Sequence, residues 1–288
     1  IFFESTVYPG VTEDICKKIL EKETSLKEGI DFFLGYSPER VNPGDKSHSL
    51  KKIEKIIAYP HKFRIKDVKN LYENVSKKII LTTNIKEAET AKVIENIQRD
   101  VNIGLINEIY IVCKKLNINF DNVIELASTK WNFVKYKPGL VGGHCLPVDP
   151  YYLSYISKLK KFKTNVILAG RSINDNISIY LKKELLKKIK KNNLKNKKLL
   201  FCGLTYKENV SDLRNSLSLK IYKEIKNKIP NIYGYDPTLN NSIAKKNKIF
   251  NKISNSNSFD FYIVSIKHEK IKKLLKKIKK EKIINLFD

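Results

Sequence analysis

Apolar and polar positions follow two rhythms along the 288 residues. From residue 1 to about 86, short apolar runs trade places with polar stretches of helical spacing. The pattern predicts strands near 1–8, 31–36 and 78–83 and helices near 11–27 and 66–77, an α/β rhythm. Lys55-Ile56-Ile57 is also strand-like. From about Ile85 to Asn117 the period is helical, with Val93, Ile94, Ile97, Val101, Leu105, Ile106 and Ile109 covering nearly every side of the second half. A helix of that length spans about 50 Å, and one so apolar is expected to be buried between other elements. Residues 119–195 read as helical, broken by one Gly/Pro-rich loop from Lys137 to Pro150. Residues 196–288 return to α/β rhythm, with strands near 198–203, 231–235, 260–266 and 282–287. Tyr235-Asp236-Pro237 closes the second of these. The Lys-rich stretches keep helical apolar spacing, so they are not linkers.

Three segments follow from these rhythms: 1–86, a helical middle at 87–195, and 196–288. The length suits about two domains with a sizeable core, and a 42% hydrophobic content places the chain in the globular class. No apolar run approaches the roughly 20 residues of a membrane span, and no secretory signal opens the chain. Methionine is absent even at position 1, and Ile1-Phe2-Phe3-Glu4-Ser5-Thr6 reads like the inside of a strand. The expectation is a piece of a longer protein that lacks its N-terminal part.

Net charge is +26, which raises the question of nucleic acid. Five of the 56 basic residues are Arg, the usual reader of bases and phosphates, and the rest are Lys, mainly on solvated helix faces. A nucleic-acid partner is therefore not expected. Cys16, Cys113, Cys145 and Cys202 form no CxxC pair and no metal spacing, which fits a reducing cytoplasm and no metal. Cys16, Cys113 and Cys202 fall in apolar patterns and read as buried small hydrophobes.

Cys145 stands elsewhere, in Pro138-Gly139-Leu140-Val141-Gly142-Gly143-His144-Cys145-Leu146-Pro147-Val148-Asp149-Pro150. Gly and Pro at this density fix a non-helical backbone, and Gly142 and Gly143 let it approach a ligand closely. A thiol in such a loop, with a carboxylate four residues on, suits covalent catalysis. The alternative is a structural turn with an incidental thiol.

This loop resembles the active-site signature of the UDP-glucose/GDP-mannose dehydrogenase family. Other segments resemble that family in its own order. They are Glu4-Ser5-Thr6-Val7-Tyr8-Pro9-Gly10, Gly35-Tyr36-Ser37-Pro38-Glu39-Arg40-Val41-Asn42-Pro43-Gly44, the helix bearing Glu89, Lys92, Asn96, Asn107 and Glu108, then Arg171-Ser172-Ile173-Asn174-Asp175, and Gly203 to Ser216. No G-x-G-x-x-G occurs, and Ala58-Tyr59-Pro60-His61 stands where family members often carry Gly. The implied fold is α/β, with two Rossmann-like domains joined by a helical middle domain and the N-terminal, NAD-binding one incomplete. Within the family, Ser-Pro-Glu-Arg at 37–40 and Val148-Asp149-Pro150 look most like UDP-N-acetylhexosamine 6-dehydrogenases of surface-polysaccharide synthesis. Leu146-Pro147 is closer to the UDP-glucose type. A basic binding protein on a decayed enzyme scaffold is the rival from another class.

The resemblance implies a two-step oxidation of a UDP-sugar with NAD+, through a thiohemiacetal and a thioester on Cys145. It implies Lys92 and an Asp149-bound water as partners of the C6 hydroxyl. Lys92 and Asn96, one turn apart on a helix, suit a developing oxyanion; the bland reading is a polar stripe. Glu39 is the candidate base for thioester hydrolysis, with a surface carboxylate as its bland reading. Thr6 is the candidate holder of the catalytic water and lies on the cofactor side. Arg40, Tyr136, Gly142, Gly143, Tyr206 and Lys207 are the remaining substrate candidates, Lys207 for the pyrophosphate. Arg214 is the candidate cofactor contact. Family members dimerise through the middle domain, so a homodimer is expected.

Overall fold

The computed structural model describes residues 1–288 except 43, 46, 48, 254–257 and 288. Pro43 of the Asn42-Pro43-Gly44 motif and Asp288 at the end of the last apolar run thus lie outside the described residues. The first elements are β1 (Phe2–Phe3), a π-helical turn Val11–Cys16 that continues as α1 (Lys17–Thr24), β2 (Gly35–Tyr36), β3 (Lys55–Ala58), α2 (Ile65–Glu73) and β4 (Ile79–Thr82). The middle is helical: α3 (Ile85–Lys115), α4 (Phe120–Ala127), α5 (Asp149–Leu159) and α6 (Asn165–Lys191). Then come β5 (Leu199–Cys202), α7 (Leu217–Lys226), β6 (Ile232–Tyr235), α8 (Asn241–Lys246), β7 (Ile249–Phe250), β8 (Phe261–Val264), α9 (Glu269–Leu275) and β9 (Ile283–Asn285). These pack as two compact units, residues 1–99 with 148–168, and residues 100–147 with 169–288. The helical middle is shared between them, since α3 and α6 each contribute residues to both.

The first unit holds a four-stranded sheet in the order β1-β2-β3-β4. The pairs β1–β2 and β3–β4 are parallel, whereas β2–β3 is antiparallel. The strand expected over 1–8 shrinks to two residues. Pro9 has no N–H to give a ladder, and Gly10 turns the chain at φ 101° into the π-helical turn. Leu34, Tyr36 and Ala58 of the sheet pack with Ile85 and Ala88 of α3 into one small core.

The second unit holds a wholly parallel sheet in the order β7-β6-β5-β8-β9. In local numbering that is 3-2-1-4-5, the doubly wound order, whose switch point lies between β5 and β8. Central β5, Leu199 to Cys202, is fully buried, as a strand covered on both faces must be. α6 lines the core with Ile177, Leu181, Leu185 and Ile189, spaced every four residues. α3 and α6 touch at Gly104 and Gly170, where a Cβ on Gly104 would lie 2.9 Å from the Gly170 carbonyl oxygen. α3 is not buried all round: Leu105 and Val112 are exposed, as is Leu116 just beyond its end.

Candidate active site

In the first unit, α3 presents a buried stripe that is polar where a core would be apolar. Glu89 is fully buried and Lys92 is 8% exposed. The Glu89 carboxylate accepts hydrogen bonds from the backbone N–H of Gly10 at 2.5 Å and of Thr12 at 3.0 Å. It thereby neutralises the helix start that follows β1. Thr6 lies half-buried in the same turn. The carbonyl of Ser5 accepts from the Tyr36 hydroxyl at 3.3 Å. Burial, then the nearby carboxylates of Glu89, Asp149 and Glu95, raise the Tyr36 phenol above the ordinary tyrosine range, so it stays a donor.

One turn beyond Lys92, the Asn96 amide donates to Asp149 Oδ2 at 2.6 Å. Asp149 is 2% exposed and opens α5, where Pro150 fits a helix's first turn. The structure therefore joins Asn96 to Asp149, and the amide orients the carboxylate. Glu39 is exposed, and its Oε1 accepts from the Val41 N–H at 2.5 Å. Arg40 is engaged inside the unit, donating to the Glu54 carbonyl at 3.0 Å and pairing with Glu95 at 2.7 Å. The loop behind them is pinned by buried Lys55, whose ammonium lies 3.3 Å from the Pro38 carbonyl and 3.2 Å from Glu4.

In the second unit the Cys145 loop lies against the segment after β5. Gly143, at φ +87°, donates its N–H to the Arg214 carbonyl at 3.1 Å and accepts from the Asn215 amide at 2.8 Å. A Cβ on Gly142 would come 2.8 Å from the Asn215 carbonyl oxygen, and one on Gly143 2.9 Å from the Tyr206 ring. Only glycine permits both approaches. Cys145 is half-buried. Tyr206 is raised by burial, then by Asp212 and Cys145 nearby. Lys207 is half-buried, and Tyr136 packs on the core beneath. Arg214 is exposed, and its guanidinium grips Asp212 at 2.7 Å and 2.9 Å. Those bonds hold the Asp212 carboxyl below the usual range.

The loop bearing Tyr206 and Lys207 has a buried anchor with little signal in the sequence. Asp236 Oδ2 accepts from the N–H of Leu204 at 2.7 Å and of Thr205 at 3.0 Å. It also lies 3.0 Å from His268 Nε2. His268 Nδ1 accepts the Asn209 N–H at 2.8 Å. His268 thus ties Asp236 to the Asn209 backbone. Asp236 was visible only as the end of a strand, and His268 lies 59 residues from Asn209. Among the described residues no cluster of His, Cys, Asp and Glu could hold a metal ion. No helix among them is long and apolar enough to cross a membrane.

Known proteins align with this arrangement along the whole chain. Residues 1–76 match the NAD binding domain of the UDP-glucose/GDP-mannose dehydrogenase family, residues 86–176 its central domain, and residues 200–287 its UDP binding domain. Protein CapL of Staphylococcus aureus is 45% identical over 251 residues, 86% of this chain and 58% of that protein. The UDP-N-acetyl-D-glucosamine 6-dehydrogenase of Salmonella typhi is 39% identical over 279 residues, 95% of this chain and 66% of that protein. The solved structure of a UDP-D-ManNAc dehydrogenase from Pyrococcus horikoshii superposes with a TM-score of 0.81 at 30% identity, covering 99% of this chain and 72% of that one. The chain spans 58% and 66% of the length of the two curated relatives.

Proposed function

The chain belongs to the UDP-glucose/GDP-mannose dehydrogenase family, and from that premise we propose that the protein oxidises the C6 alcohol of a UDP-N-acetylhexosamine to the carboxylate, with Cys145 as nucleophile. One observation carries the reading: the loop before Cys145 is fixed by glycines that admit Tyr206 and Asn215 at distances a side chain would forbid. A thiol presented on so ordered a backbone is suited to attack. NAD+, when bound, supplies the hydride acceptor for each of two oxidations. The helix start after β1 spends its N–H groups of Gly10 and Thr12 on Glu89, so that turn is not the cradle of the dinucleotide pyrophosphate.

The chain's own residues have these roles in the proposal. Asp149, oriented by Asn96, holds the water that takes the hydroxyl proton as the alcohol becomes an aldehyde. Lys92 stabilises the oxygen as negative charge develops. The Cys145 thiolate adds to the aldehyde carbon, forming a C–S bond while the oxygen gains a proton. Loss of that proton and of a second hydride leaves a thioester. Water, directed by Thr6 and deprotonated by Glu39, attacks the thioester carbon; the C–S bond breaks, the leaving sulfur takes up the second proton of that water, and thiol and carboxylate separate. Lys207, Tyr206 and Tyr136 hold the UDP end. Arg40 fastens the Glu39 loop to α3, and Arg214 serves the cofactor side. A cytoplasmic homodimer that supplies surface polysaccharide completes the reading.

The N-acetylated substrate rests on the 37–40 and 148–150 motifs and on the likeness to the UDP-N-acetyl-D-glucosamine 6-dehydrogenase of Salmonella typhi. Leu146-Pro147 favours UDP-glucose as the second reading. The test is a panel of UDP-N-acetylglucosamine, UDP-N-acetylgalactosamine, UDP-N-acetylmannosamine, UDP-glucose and GDP-mannose with NAD+. The expected result is uronate with two NADH per sugar, a higher kcat/KM for an N-acetylated sugar, and no uronate from Cys145→Ser. A higher kcat/KM for UDP-glucose moves the protein to the second reading. Uronate from Cys145→Ser at the parental rate removes the covalent route.

A further inference from the structure

Asn107 and Asn174 belong to family-like motifs that the chemistry above leaves without a task. Asn107 is fully buried on α3, and its amide pairs with both polar groups of Gly139. Its Nδ2 donates to the Gly139 carbonyl at 3.0 Å, and its Oδ1 accepts the Gly139 N–H at 2.9 Å. This is the pair of hydrogen bonds that a neighbouring strand gives a residue in an antiparallel ladder, supplied here by a side chain. A carboxamide offers a donor and an acceptor side by side. The amide is itself held: Nδ2 also donates to Asn174 Oδ1 at 2.9 Å. Asn174 in turn donates to the Asp100 carbonyl and to Asp100 Oδ1, both at 2.8 Å. Asp100, also fully buried, takes Arg171 at 2.6 Å. The chain of buried polar groups thus runs from α6 through α3 to the first glycine of the Cys145 loop.

A second carboxamide grips the loop from the other side. Asn215 donates to the Gly143 carbonyl at 2.8 Å, while its neighbour Arg214 accepts the Gly143 N–H at 3.1 Å. Asn215 sits at φ 50°, a left-handed conformation that Asn adopts more readily than most residues. The two grips bracket Gly139 to Gly143, and Cys145 follows two residues later. We propose that Asn107 and Asn215 are positioning residues for Cys145, two carboxamide clamps that set its loop on α3 and on the UDP-binding segment. Neither touches substrate; both act through the backbone that carries the thiol. The proposal rests on Cys145 being the nucleophile for its effect on turnover, but not for its effect on the loop.

The test uses the intact protein with Asn107→Ser and Asn215→Gly. The glycine variant keeps the left-handed backbone and removes only the amide. Alkylation of Cys145 by iodoacetamide, read by mass spectrometry of its peptide, should rise about tenfold in both as the loop opens locally. Buried Cys113 and Cys202 should stay protected, which reports an intact fold. Turnover should fall about tenfold to hundredfold with little change in KM, the signature of a misplaced reacting group. Cys145 alkylation within twofold of the parent in both variants overturns the proposal. If Asn107→Ser unfolds and exposes Cys113 and Cys202, Asn215→Gly alone decides. If the parent protein oxidises no nucleotide sugar, the functional reading fails, and the alkylation rates still decide the clamps.

Discussion

Asp236 is fully buried, yet its carboxyl is held at about 2. Burial pushes it upward, and the hydrogen bond and charge of His268, with the hydrogen bonds from Thr238 and the Leu204 N–H, overcome that push. The folded value lies below the ordinary 3.8, so protonation favours the unfolded chain. The stabilisation is fully present above about pH 4 and is lost as pH falls through about 2. It amounts to about 2 kcal/mol from the drop between 3.8 and about 2. Asn at this position keeps the shape but turns an N–H₂ toward backbone donors on one side or the other. Asp236→Asn should therefore cost about 2–4 kcal/mol at neutral pH and flatten the loss of stability between pH 4 and pH 2. Denaturant unfolding across that range is the measurement; an unchanged slope would show that Asp236 is not the titrating anchor.

At the scale of elements, the contact between α3 and α6 rests on two glycines. A side chain on Gly104 meets Gly170 backbone at 2.9 Å, and backbone at a helix crossing has nowhere to go. Gly104→Val should lower stability by about 1–3 kcal/mol through overpacking, despite the better helix propensity of Val over Gly. Gly139 makes the contrast. Nothing lies within 4 Å of a Cβ there, and Asn107 uses only its backbone N–H and carbonyl. Gly139→Ala should stay within about 0.5 kcal/mol of the parent. Thermal melts of the two variants side by side check the pair, and equal shifts would contradict the crossing argument.

At the scale of the molecule, the second unit leaves an apolar stripe uncovered. Leu105 is 52% exposed and Val112 47%, two helical turns apart on one face of α3, with Leu116 one turn further at 63%. A row of exposed apolar side chains on a charged surface suits a partner contact, and a second copy of the chain is the occupant consistent with the proposed homodimer. Sedimentation equilibrium at micromolar concentration should give a dimer, and Val112→Lys with Leu116→Lys should shift it toward monomer with the fold retained. A parent protein that is monomeric throughout would withdraw this assignment. The charge of +26 repels copies, so dimerisation should strengthen with salt if the apolar stripe drives it.

The linear pattern determined what is local. Apolar spacing placed α3 from Ile85 and the parallel strands β5, β6, β8 and β9 within a few residues, because period and side-chain direction are set by each element's own backbone. Gly142, Gly143 and Cys145 in one loop already pointed to a built site, since glycine density constrains a backbone wherever it lies. Which element pairs with which was decided by tertiary structure. The antiparallel β2–β3 pair was not foreseen, and neither was the two-residue strand β7, too short to leave a period. Arg40 and Arg214 are ligand candidates in the sequence, and only the fold shows that Glu95 and Asp212 are their ion-pair partners. Asn107 meets Gly139 across 32 residues and Asn215 meets Gly143 across 72. Such bonds form only after loop closure has been offset by packing elsewhere, and a residue's neighbours in sequence carry no trace of the partner that the folded core brings to it.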